Sequence, residues 1–227
     1  MSKVLFNMTD YTLLEHLLFG IGCFMWVIVY GIIIGKIRKY QFIEIPMMVI
    51  CLNFSWEILW SWFFYTDMGA IYQWGYRVWF LMDCYIVYHA FKYCYKQYAE
   101  GSMLREHART ILAVAIVGWI VILYFFTKTF DAPKSHMGGY GGYWCNLPMS
   151  MLYISLLWRY RDKLEYFSLP AAWLKGWGTG LVTVFCFFHF DDPFLFSLGT
   201  ATALLDAYYI YQFYVLRKKA RLNVSME

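Results

Sequence analysis

A bundle of seven transmembrane helices is the fold this sequence predicts, and three observations predict it. Of 227 residues, 61% are hydrophobic and only 15% are charged, against about 45–50% and roughly 25% in soluble domains. The apolar residues gather in seven runs near the roughly 20 residues that a helix needs to cross a bilayer core. No stretch alternates with a period of two over about 10 residues, as a barrel strand in a membrane must. Helices are then the remaining way to satisfy backbone hydrogen bonds in lipid. The same composition excludes disorder, a collagen-like fibre and a secreted disulfide scaffold.

The runs lie at about 14–35, 42–64, 74–95, 110–126, 143–158, 171–190 and 194–216, each near spanning length. Short polar or Gly/Pro-bearing connections part them, such as Lys36-Ile37-Arg38-Lys39 and Asp191-Asp192-Pro193. No connection is long enough to hold a second domain, so residues 1–227 read as one seven-helix domain. The first, third and fifth connections and the tail carry fourteen of the 19 Lys and Arg, from Lys36 to Arg221. The opposite side has Lys3, Lys128 and Lys134. This asymmetry places the N-terminus outside or in the lumen and the C-terminus in the cytoplasm. It also explains the net charge of +4 without any affinity for nucleic acid. The start lacks the basic region and small-residue cleavage site of a signal peptide. Six cysteines scattered through the runs without CxxC spacing read as small apolar core residues. No internal repeat is visible.

Acids at mid-depth in a spanning helix cost at least roughly 2.5–3.5 kcal/mol each on insertion scales and mark function by default. Glu15 and Glu44 sit near helix ends, where they reach the interface. Glu57 in run two, Asp83 in run three and Asp206 in run seven do not. Counted at 1.5 Å per residue from the outer ends, they lie about 10, 14 and 18 Å deep, in one slab where they can share a cavity. The cations inside the runs are Arg77, poorly spaced for Asp83 and nearer Asp67 or Asp10, and Lys175 near the cytoplasmic end. At least two of the acids therefore lack a cationic partner. An unpaired carboxyl away from water favours its neutral form, and a neutral acid in a dry pocket is a proton donor.

Each acid has rings on its own helical face. Asn53 and Trp60 fall at i−4 and i+3 from Glu57 with Trp56 adjoining, Trp79 falls at i−4 from Asp83, and Thr202 and Tyr209 flank Asp206. Aromatics make up 23% of the chain, and interfacial belts account for many of them. Rings beside mid-depth acids fit a different use, because aromatic faces stabilise cations. A proton donor in an aromatic box is what carbocation chemistry on an apolar substrate requires.

Other motifs are weaker. Asp191-Asp192-Pro193-Phe194-Leu195 lacks the third Asp of a DDxxD metal site and reads as a turn. The five histidines lack metal spacing, and His89 reads as a core histidine. Gly138-Gly139-Tyr140-Gly141-Gly142 lacks the Lys and Ser/Thr of a phosphate loop and reads as a flexible outer loop lidding the cavity mouth. Gly176 and Gly180 form a GxxxG for close helix contact. Run seven lacks the Lys that a retinal-binding rhodopsin needs. No metal ligands and no cofactor are assigned.

The segment Asn53-Phe54-Ser55-Trp56-Glu57 resembles the N-x-x-W-E signature of the small seven-helix membrane terpene cyclases of meroterpenoid and indole-diterpene biosynthesis, of paxilline and pyripyropene type. Asp206-Ala207-Tyr208-Tyr209, leading to Tyr214-Val215-Leu216-Arg217-Lys218, is similar to their Asp-bearing final helix with its basic end. Length, helix number and the position of both acids extend the resemblance over essentially the whole chain. It implies that Glu57 and Asp206 are the essential acids, and that the substrate is a prenyl chain on an aromatic or indole head group, usually with a terminal epoxide. Asp83 departs from the pattern. A composition rich in Met and Tyr and poor in Pro is less like the fungal members and fits a bacterial relative. The membrane would be the plasma membrane in a bacterium and the endoplasmic reticulum in a fungus.

The expected activity is acid-initiated cyclisation without metal, of isomerase or lyase type. Glu57 or Asp206 protonates an epoxide or terminal alkene, Trp56, Trp60, Trp79 and Tyr209 stabilise successive cations, and a carboxylate such as Asp83 removes a proton. The partners are the lipid bilayer and an apolar prenylated small molecule, and the oligomeric state is left open. Two alternatives stand beside this reading. One is a seven-helix transporter or receptor with proton-relay acids, such as SWEET-type carriers. The other is a sterol-isomerase-like membrane enzyme.

Overall fold

A computed structural model describes residues 4–224, with side chains to residue 220. Lys3 and the side chain of Arg221, both used in the charge count above, lie outside it. Seven long helices follow one another: α1 Leu13–Tyr40, α2 Met47–Ile58, α3 Ala70–Tyr93, α4 Ala108–Phe126, α5 Gly139–Arg159, α6 Leu169–His189 and α7 Pro193–Val224, with no strand among the described residues. Three segments are long and apolar enough to cross a membrane: Leu13–Tyr40, Ala108–Ser135 (α4 and the turns that extend it) and Leu169–His189. The protein is thus an all-helical membrane protein.

The helices that miss this criterion are informative. α3, α5 and α7 are rich in tyrosine and also carry the buried polar groups Asp83, Ser150 and Asp206, which together lower their hydropathy. α2 misses it by length. Apolar side chains face outward instead, with Leu14, Leu17, Ile21, Phe24 and Ile28 exposed along α1 and Val114, Val117, Val121 and Phe125 along α4. In water such stripes would be large sticky patches, whereas lipid solvates them.

Local chemistry sets the helix ends. Thr12 and Glu15 form a reciprocal capping box at the start of α1. Pro46 holds the chain extended before α2, so α2 begins five residues into the predicted run. Its far end widens into a π-turn at Leu59–Phe63. The side-chain amide of Gln73 on α3 donates to the carbonyls of Trp60 (2.7 Å) and Ser61 (3.1 Å) there. The glycine segment 138–142 is not a flexible loop. Gly138, at φ +84°, opens α5, and a Cβ on it would stand 2.7 Å from the rings of Trp56 and Trp60. These glycines let two indoles pack against backbone, with Trp56 Nε1 donating to the Gly138 carbonyl at 3.2 Å. The buried Asp131 accepts from the Tyr140 and Gly141 amides at 3.1 and 2.6 Å, so a carboxylate caps this helix start. Asp191-Asp192-Pro193 is a turn, and Asp192 caps α7 by accepting from the Phe194 and Leu195 amides.

α1 packs most extensively on α6, α7 on α5 and α6, and α2 on α3 and α4. The close approach of α1 and α6 runs through Gly22 and Gly178, where a Cβ on Gly22 would meet the Gly178 carbonyl at 2.7 Å. Gly180 has nothing within 4 Å, so the predicted Gly176/Gly180 pair is not the contact. The first, third and fifth connections are tied together on one side. Gln97 donates to the carbonyls of Ile43 and Ile45, and Arg159 donates to the carbonyl of Gln97.

Candidate active site

Two cavities lie among the helices and share four lining residues. The larger, of about 100 Å³, lies between α1, α2, α3, α5 and α6 and the segment entering α5. Seven aromatic side chains line it: Phe19, Trp26, Tyr30, Trp56, Tyr76, Trp79 and Tyr143. Trp56 meets Tyr76 edge-on at 5.4 Å, and Tyr76 stacks with Trp79 at 5.7 Å. Glu57 is the carboxyl-bearing side chain on this wall. The Tyr30 hydroxyl donates to Glu57 Oε1 at 2.5 Å, and Asn53 Nδ2 approaches that hydroxyl at 3.4 Å.

Asp83, buried on α3, is the acid that neighbours Glu57, but it does not itself line the cavity. With both carboxyls ionised neither can donate, and Glu57 Oε2 and Asp83 Oδ2 have no hydrogen-bond partner among the described residues. Among the described residues no cation pairs with them, and Arg77 points elsewhere. Its guanidinium lies over the rings of Trp62 and Trp74 and donates to the Ser61 carbonyl, not to Asp67 or Asp10.

The smaller cavity, of about 20 Å³, lies towards the tied connections and is lined by Glu44, Lys175, Asp206, Tyr153 and Tyr209 among others. Lys175 Nζ donates to Asp206 Oδ1 at 2.5 Å and to Ser150 Oγ at 2.7 Å. Asp206 is therefore ion-paired, contrary to the expectation that Lys175 lies too near its helix end, because the long lysine stem carries the charge inward. Glu44 also departs from expectation. It is buried, 3% exposed, rather than at the interface. The sequence-based slab of three acids is thus two sites, with Glu57 and Asp83 in one and Asp206 with Glu44 in the other.

The remaining candidates divide similarly. Asn53, Trp56 and Trp79 line the larger cavity, and Asn53 the smaller as well. Trp60 is fully buried behind Trp56, 6.3 Å between rings. Tyr209 lines the smaller cavity against Tyr153. Thr202 is buried in α7, donating to the Leu198 carbonyl, and touches neither cavity. Glu15 caps α1 and pairs with His189. His89 is half-buried, bonded to the Tyr85 carbonyl. The six cysteines are free, and Cys23 and Cys145 line the larger cavity. No three His, Cys, Asp or Glu converge on a metal-sized point among the described residues.

Sequence reasoning missed the α1 wall, although Phe19, Cys23, Trp26 and Tyr30 repeat at the four-three-four spacing of a helical stripe. That run has no mid-depth acid, so nothing drew attention to it.

The family described as Pyr4-like transmembrane terpene cyclases matches residues 7–219. Among curated relatives, the terpene cyclase spyD of Aspergillus fumigatus is 28% identical over 115 residues, 51% of this chain and 48% of that protein. The terpene cyclase adrI of Penicillium rubens is 21% identical over 207 residues, 87% of this chain and 81% of that protein. The Pyr4-family terpene cyclase mfmH of Annulohypoxylon moriforme is 24% identical over 106 residues, 47% of this chain and 43% of that protein. The matches to spyD and mfmH thus span less than half the length of those relatives. No solved structure matches.

Proposed function

The chain belongs to the Pyr4-like transmembrane terpene cyclases, and from that premise we propose that it cyclises a prenylated small molecule by protonating a terminal epoxide or alkene. The observation that carries this reading is the Glu57–Asp83 pair, two carboxyls with no cation beside them, on the wall of an aromatic cavity. One proton held between them supplies the hydrogen-bond donor that two carboxylates lack, and Glu57, which faces the cavity, hands it to the substrate.

The prenyl chain folds against Trp26, Trp56, Tyr76 and Trp79, whose ring faces stabilise the positive charge as it moves from ring to ring. Trp60 acts by backing Trp56. Asp83 stands behind Glu57, which suits support of the donor better than direct proton removal from substrate. After donation the pair is one proton short, and Glu57 is then the base on the cavity wall. The resemblance assigns Asp206 an essential part. Its ion pair with Lys175 makes it an anion, so the parts open to it are those of proton acceptor or anchor, not of donor.

Seven spans in a single domain, with the tied basic connections in the cytoplasm, complete the proposal. The bilayer is that of the endoplasmic reticulum or of a bacterial plasma membrane. The direct test assays Glu57→Gln and Asp206→Asn in membranes with prenylated epoxide and olefin substrates. Cyclisation retained in both variants overturns the assignment.

A further inference from the structure

Trp26, Tyr30, Asn53 and Met149 line both cavities and so form the partition between them. Three of the four are held by polar contacts. Tyr30 and Asn53 belong to the Glu57 hydrogen-bond set, and the Trp26 ring lies 5.8 Å from Lys175 Nζ. Met149, on α5, is 3% exposed and offers only apolar atoms.

Behind this partition the smaller cavity measures about 20 Å³, and one water needs roughly 10–15 Å³ on such a scale, with two to four polar partners. Glu44 Oε2 and Asp206 Oδ2 are both buried without a hydrogen-bond partner among the described residues, and both side chains line the cavity. Lys175 lines it as well. Two carboxyl oxygens without partners, facing a space that admits a water, call for a group that donates to Asp206 and exchanges a hydrogen bond with Glu44.

We infer that the smaller cavity is a site for one water molecule, held by Asp206 and Glu44, and that Met149 is the movable part of a wall keeping this water from the cation in the aromatic cavity. The second half of the inference rests on the cyclase reading. A carbocation that met this water would form a carbon–oxygen bond from the oxygen lone pair and lose a water proton to the Asp206 carboxylate. The product would then be a cyclic alcohol in place of an alkene. The partition thereby decides between loss of a proton and capture of water as the last step.

The test uses the full chain in membranes, with a prenylated substrate and ¹⁸O-labelled water. Met149→Ala is expected to raise the ¹⁸O-bearing cyclic alcohol at least fivefold over the wild-type fraction, while Met149→Leu keeps the wild-type profile. An alanine variant with unchanged products and no added label overturns the wall. Should that variant fail to accumulate, Met149→Val opens the same wall by less and is read in the same way. Adding Glu44→Met to the open-wall variant should return the label to the wild-type level. Label that persists there means the water enters elsewhere and overturns the site.

An arm independent of turnover oxidises the detergent-solubilised protein by brief radiolysis in ¹⁸O water. The buried Tyr209 and Met149 should take up label in the wild type and lose it in Glu44→Met. Label at neither residue in the wild type overturns the water site. A protein that takes up this label yet cyclises nothing sinks the cyclase reading and with it the role of the wall, and leaves the water site standing.

Discussion

Both cavities set buried carboxyls among aromatic rings, and a cation distinguishes them. Among the described residues none pairs with Glu57 or Asp83, and Glu57 has the Tyr30 hydroxyl, with Asp83 as its neighbour. Around Asp206 there is Lys175 at 2.5 Å. A buried carboxyl can be kept in a membrane protein by holding a proton or by holding a counter-ion. Only the first choice leaves a proton to give away. On the proposed reading, the side of the partition on which an acid falls thus separates the proton donor from the proton acceptor or anchor, although both acids looked alike in the sequence.

The sharpest way to break this contrast is Glu57→Gln, which keeps the shape and removes the acid. Cyclisation is expected to fall by about 10²–10⁴-fold, the range of general-acid catalysis, with little change in thermal stability in detergent. A loss of stability as large as the loss of rate would make Glu57 structural and erase the distinction. Lys175→Met should behave in the opposite sense. Leaving Asp206 buried and unpaired costs about 3–5 kcal/mol of stability, and replacing both partners with apolar residues of similar size should recover much of it. Unfolding midpoints of Lys175→Met and of Lys175→Met with Asp206→Leu check this. A double variant no more stable than the single one argues against a simple pair.

A smaller effect tests the aromatic wall. Gly141→Ala places a methyl 2.6 Å from the Asp131 carboxylate and 2.9 Å from the Trp56 ring, and overpacking of this kind costs about 1–3 kcal/mol. Because Trp56 lines the larger cavity, binding of a fluorescent prenyl analogue should weaken with it. Gly180→Ala, with nothing within 4 Å, is the neutral control. The smallest change is Tyr30→Phe, which removes one hydrogen bond to Glu57. A fall in kcat of up to about tenfold is expected, from the roughly 0.5–1.5 kcal/mol of a typical hydrogen bond, with KM nearly constant. An unchanged kcat would free Glu57 from its tyrosine.

Much of this was legible in the sequence, for reasons that can be named. Charge in lipid is expensive enough that Glu57, Asp83 and Asp206 stand out from position alone. The break between α6 and α7 was readable as a turn from Asp191-Asp192-Pro193 alone, which needs no tertiary context. Hydropathy misplaced the start of α2, because Ile43 and Ile45 are apolar but Pro46 keeps them out of the helix. It stopped α1 at Lys36, although the helix runs on to Tyr40.

The partnerships were not legible. Depth counting treats a side chain as a point at its Cα, and Lys175 spans the difference with its stem. Glu44 was judged by its place near a helix end, yet the connection that bears it folds inward, held by Gln97 from another connection. Asp131 escaped notice because it precedes its helix, where an acid is ordinary. Register between helices is set by packing, and no periodicity within one helix reports it.

The proline inside α5 has a bearing on how such a chamber fills. Pro148 lacks an amide hydrogen, so the helix already forgoes one rung of its ladder at that height, beside Met149 and one turn from Cys145 and Asn146 on the cavity wall. Elsewhere in a helix, shifting a wall residue to admit a longer or bulkier guest strains intact backbone bonds in a solvent that cannot replace them. Here that bond is missing from the start. The glycine-packed indole side and the proline-interrupted side facing the ion pair therefore differ in backbone constraint, and differences in guest size are expected to be absorbed at the proline seam.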